Sequence, residues 1–160
     1  MPAIDLHALS RALAEQLTAD DAIRDWCIEH ADSRRLTPVY GNRSLFDARG
    51  GFVLHREVPA LVVELGDISV DTGPGAMLSQ IQLPLLAAVV WYEQCPDRAF
   101  AARCRLAPLL LNAVHDDVTL GGTCSSALIE RMEPSDAASD PAVRTLRFEV
   151  AAHVEHRTGA

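Results

Sequence analysis

The chain has 160 residues, 49% hydrophobic and 22% charged, with a formal net charge of −8. That length fits one domain over residues 1–160, the composition is globular, and the acidic balance opposes sequence-independent binding to phosphate backbones. No run approaches the roughly 18 apolar residues of a membrane helix, and Asp5, His7, Ser10 and Arg11 break up the N-terminal stretch, so it does not read as a secretory signal and the expected compartment is the cytoplasm.

Leu6, Leu9, Leu13 and Leu17 recur at helical spacing and predict an amphipathic helix from about Asp5 to Thr18. Thr18 and Asp21 have the spacing of a capping box, opening a second short helix on which Ile23, Trp26, Cys27 and His30 share a face. The chain then turns polar and holds Pro38, Gly41, Asn42, Gly50 and Gly51, which predicts an inserted loop over about 32–57 with a brief strand at Pro38–Tyr40. Val58–Val70 is rich in β-branched residues, Gly73-Pro74-Gly75 follows as a turn, and Leu78–Glu93 is again β-prone, so the two runs read as a hairpin. Pro84 lacks a backbone donor, which predicts an edge position or a bulge there. Leu85–Tyr92 is apolar on both alternating faces, so both faces need cover.

Pro96 and Asp97 open a long helix, with Asp97 as its expected cap. Phe100, Cys104, Ala107, Leu111 and Val114 form a stripe that predicts the core-facing side, leaving Arg105, Pro108 and Asn112 opposite, where Pro108 is expected to bend the helix. The helix runs out at His115–Asp117, and Gly121 and Gly122 turn the chain into a strand over Thr123–Glu133. After a polar loop, Leu146, Phe148, Val150, Ala152 and Val154 alternate with Thr145, Arg147, Glu149, His153 and Glu155, the clearest strand in the chain, and 156–160 is expected to fray. The expected fold is α+β: a mostly antiparallel four- to five-stranded sheet, N-terminal helices, and one long central helix on one face.

Candidate chemistry is sparse. His115, Asp116 and Asp117 are the best local set for a divalent metal, but adjacent carboxylates diverge, and the bland reading makes both acids the solvated flank of the Gly121-Gly122 turn. Acidic residues there also oppose the helix macrodipole. His153 and His156 fall on opposite strand faces, Ser125-Ser126 has no GxSxG elbow, and a chain without lysine has no Walker loop at Gly73-Pro74-Gly75. Cys27, Cys95, Cys104 and Cys124 have no CxxC spacing and read as reduced thiols, three of them among apolar neighbours. No catalytic, cofactor or metal residue is assigned. Leu86, Ala88, Val90, Trp91 and Tyr92 are candidate subunit-interface residues, because a neighbouring subunit would supply the second cover of the apolar strand.

Helices first, then a hairpin, one long helix, LGG and two closing strands: this order resembles the tail terminator, or tail completion, proteins of long-tailed bacteriophages and prophages. The resemblance covers most of the chain and is carried by LPLLAAVVWYE, the helix from Arg98 to Val114, DDVTLGGTC and TLRFEVAAHVEH. It implies a structural virion protein without enzymatic activity or cofactor, which forms a ring, sixfold in the family, on the end of the tail tube. Such a ring stops tube polymerisation and offers a docking surface for the head. The partners it implies are other copies of the chain, the tail tube protein and a head-completion or neck protein, with DNA passing through unbound by any specific contact. The implied location is the host cytoplasm during assembly and then the virion tail. The alternatives are another neck or head-closure component, a metal-dependent enzyme using His115, Asp116 and Asp117, and a small-molecule binding module using Trp91 and Tyr92.

Overall fold

The computed structural model describes residues 5–33, 35–41, 58–72, 78–135 and 142–157. Along the chain run α1 (Leu6–Thr18), α2 (Asp21–Ala31), β1 (Thr37–Tyr40), β2 (Ala60–Leu65), β3 (Ser69–Thr72), β4 (Leu78–Tyr92), α3 (Pro96–Asp116), β5 (Ser126–Pro134) and β6 (Val143–Arg157). The strands form one six-stranded sheet in the order β1-β2-β4-β6-β5, with β3 also on β4. The β1–β2 pair is parallel and the rest are antiparallel, so the fold is α+β with a mixed, mostly antiparallel sheet.

Short acids cap the first two helices. Asp5 accepts from the Ala8 amide at 2.9 Å and starts α1, whose Leu9, Leu13 and Leu17 are buried on one side; each such burial is worth about 1.5–3 kcal/mol. The cap of α2 is Asp20 rather than Thr18. Its carboxylate accepts from the Ile23 amide at 3.0 Å, while the Thr18 hydroxyl turns back to the Ala14 carbonyl inside α1. Similarly, α3 is capped at Cys95 without a side-chain bond, Pro96 takes the first helical position where no amide is needed, and Asp97 lies inside the first turn.

The β4–β6 pair is the spine of the sheet, in register from Leu78↔Arg157 to Tyr92↔Val143. His156 and Arg157, expected to fray, therefore continue the ladder. Pro84 sits in this central strand and not at an edge. Its carbonyl accepts from Gly66 at 2.7 Å, so its donorless nitrogen, on the same edge of the strand, points to the β2–β3 side. There the register steps from Leu65↔Leu85 to Ser69↔Gln82, and Gly66, Asp67 and Ile68 bulge opposite Leu83 and Pro84. The bulge is thus in the partner strand, and it splits the Val58–Val70 run into β2 and β3, raising the strand count to six. Gly66 is required there: a Cβ would lie 3.0 Å from Pro84 Cγ and 3.1 Å from its carbonyl oxygen. Gly73, Gly75 and most of the expected 32–57 insertion lie outside the described residues.

The expected stripe of the long helix is only partly its core-facing side: Val114 is buried and Ala107 packs against the core, but the other three residues stay outside. Ala99, Ala102, Leu106, Leu110, Ala113 and Val114 are buried, whereas Phe100 is 70% exposed, Leu111 37%, and Cys104 is also exposed. Alanines on the inner face let α3 approach the sheet and α2 closely; Phe100 and Leu111 would hold it off. Helices and one sheet face enclose the main core, built on Leu61, Val63, Leu85, Ala87, Val89 and Trp91 with Leu146, Phe148 and Val150. A second, smaller cluster of Ala60, Val62, Ala88 and Val90 lies on the opposite sheet face, with Val39, Val58 and Val143 packed against it.

Candidate functional site

The turn after α3 is built from the side chain of Asp117. Its Oδ1 accepts from the Thr119 amide at 3.0 Å and the Thr119 hydroxyl at 2.6 Å, and Oδ2 accepts from the Gly121 amide at 2.8 Å. These three donors, the Thr119 hydroxyl foremost, hold the carboxyl below its ordinary pKa. Leu120, Gly121 and Gly122 all take positive φ, and Leu120 is nevertheless driven into the core, fully buried. Asp117 is therefore the organiser of the turn and not merely its solvated flank; Asp116 and His115 are exposed beside it. The orphan carbonyls at the end of α3 find a donor in Gln16 on α1, whose Nε2 donates to Ala113 O at 2.7 Å and Asp117 O at 3.0 Å. That long-range cap satisfies the carbonyls of this helix end, and no local pattern announces it. Burial first, and then the Asp117 charge, raise the pKa of the nearby Cys124 thiol.

The five candidate interface residues do not share a face. Trp91 belongs to the helix side, fully buried and edge-on to Trp26 at 5.1 Å, with the Arg103 guanidinium 5.8 Å above its ring. Trp26 in turn donates Nε1 to Ala102 O at 2.9 Å, tying α2 to α3. Leu86, Ala88, Val90 and Tyr92 face the other way. Ala88 and Val90 are 0% and 2% exposed within the single chain, and Leu86 and Tyr92 are half-buried. Within the single chain Ala88, Val90 and Trp91 are buried, so of the five only Leu86 and Tyr92 keep surface that a neighbouring subunit could cover.

What is open on that second face lies toward β5. Arg131 stands directly across from Glu149, and Glu133 across from Arg147. Arg147 bonds Glu133 at 3.0 Å and Arg131 approaches Glu133 at 3.4 Å. These four charges, with Leu86 and Phe148, line a shallow cleft of about 150 Å³. The signal was present in the sequence: Arg131-Met132-Glu133 and Arg147-Phe148-Glu149 are the same R-x-E pattern, and antiparallel pairing sets opposite signs against each other. Paired charges of this kind hold strands in register and can dock a charged surface; no nucleophile stands beside a base here.

Other exposed apolar side chains are Phe100 and Leu111 on α3, Ile68 and Val70 at the bulge and β3, Leu128 on β5, Ile28 on α2 and Tyr40 on β1. Among the described residues no group of three His, Cys, Asp or Glu is placed to hold a metal ion, and no helix is long and apolar enough to cross a membrane. No protein-family model matches the chain, and no curated protein matches it.

Proposed function

We propose that the protein is a structural subunit that assembles head-to-tail into a ring on a phage tail tube, ending tube growth. The observation that carries this reading is the placement of large apolar side chains in solvent on several elements, α3 and β3 among them. Phe100 and Leu111 stand on the outer face of α3, and Ile68 and Val70 at the β2–β3 bulge. Two unlike apolar surfaces on one small subunit suit a heterologous contact, in which patch A of one copy meets patch B of the next, and such contacts form a ring when the rotation between copies closes. Exposed Phe and Val are costly to leave in water, and each buried on assembly would return about 1.5–3 kcal/mol. The element order read from the sequence, with helices, hairpin, long helix and closing strand pair, supports the same reading by resemblance.

The metal-enzyme alternative is less well supported, because Asp117 already spends both carboxylate oxygens on its own turn. The test is electron microscopy of tails made by a phage lacking this gene. Tubes of uncontrolled length are the expected result. Tubes of normal length without heads would move the protein to the neck, and normal complete tails would overturn the reading.

A further inference from the structure

We propose that the open half of the second sheet face docks a second copy of this chain about a twofold axis running parallel to the strands. The ladder places three rows across β6 and β5 on that face: Ala151 beside Leu128, Glu149 beside Arg131, and Arg147 beside Glu133. Turning a copy over about an axis between the two strands exchanges β5 and β6 while keeping each row in place. Leu128 then meets Ala151, Arg131 meets Glu149, and Glu133 meets Arg147, so apolar faces apolar and every charge faces its opposite. The surface is self-complementary, as an isologous interface requires. Turning the copy about the perpendicular axis also pairs the charges, but it sets Leu128 against the polar row of Thr145 and Ser135.

The patch is accessible: the Arg131 side chain is 72% exposed, Glu133 41%, Arg147 24%, and Leu128 45%. It is also locally neutral, two Arg against two Glu, on a chain of net charge −8. Two such acidic bodies repel in general, and the quartet lets them approach there without setting like charges against each other. Leu128 supplies the apolar anchor at the edge of the quartet, while the ion pairs fix orientation more than they add affinity. Sheets packed face to face keep their strands nearly aligned at roughly 10 Å, a gap that long Arg and Glu side chains span.

The test is sedimentation velocity on the full-length protein over a concentration series at low and high salt. A dimer that weakens with salt is expected, because the charges that orient it are screened. Arg131→Glu alone and Glu149→Arg alone should each weaken self-association by about tenfold or more, and an equimolar mixture of the two should recover it, since every facing pair is then again opposite. Leu128→Glu leaves the quartet intact and should also lower association. All three variants are accepted only with an unchanged thermal melt. A wild-type protein monomeric at every concentration, single variants that dimerise like wild type, or a mixture that fails to recover would each overturn the proposal. It is independent of the ring reading: rings without dimers sink this contact alone.

Discussion

Asp117 fixes the end of α3 through three hydrogen bonds to its own turn, and the consequence is a signed pH dependence. A carboxyl held below its ordinary value stabilises the fold fully above the unfolded carboxylate pKa of about 3.9, and that contribution drains away as pH falls through the folded value. Thermal melts through the acid range should therefore show Asp117→Asn starting lower than wild type at neutral pH and losing less on acidification. An Asp117→Asn protein matching wild type at every pH would refute the turn's account. The thiols divide by burial. Burial pushes Cys27 from 9.0 to about 12, so its contribution to stability is complete below pH 9 and lost as pH rises toward the folded value. Alkylation at neutral pH followed by peptide mapping should mark exposed Cys104 at once and reach buried Cys27 and Cys124 only on unfolding.

At the scale of elements, α3 separates what periodicity can and cannot reveal. Its residues form two adjacent apolar stripes, one rich in alanine and one holding Phe100 and Leu111, and both repeat at helical spacing. Spacing alone does not choose between them, because the buried face is selected by how closely the helix can approach its neighbours. Leu106→Ala should accordingly cost about 2–5 kcal/mol in denaturant unfolding, and Phe100→Ser should stay within about 0.5 kcal/mol. Equal costs would mean that the helix faces the other way. By contrast, the body of β6 is legible because one of its faces is apolar and the other polar, so alternation alone orients it, although its last two residues, His156 and Arg157, carry no such signal. Pro84 announced an irregularity, yet placing the bulge on Gly66–Ile68 needs knowledge of which strand lies alongside. Gly66→Ala should destabilise by about 1–3 kcal/mol through its contact with Pro84, measurable in the same unfolding series. The Gln16 cap and the placement of Trp91 against Trp26 were hidden for the same reason: both join residues far apart in the chain.

For the whole molecule, the expectation that β4 needs a neighbour to hide its second face narrows to Leu86 and Tyr92. The chain encloses Ala88 and Val90 by itself and exposes large apolar side chains elsewhere, on α3 and at the β2–β3 bulge among other places. On the proposed reading these two surfaces meet between adjacent copies on the tail tube, so substitutions there should spare the fold and abolish capping. The most direct test is the length distribution of tails, seen by electron microscopy, when a phage lacking the gene is complemented with either wild type or the Phe100→Glu, Val70→Glu double variant. The account predicts one uniform length with wild type and overlong tubes with a double variant that melts like wild type. Uniform tails from both proteins, or overlong tubes from both, would contradict it.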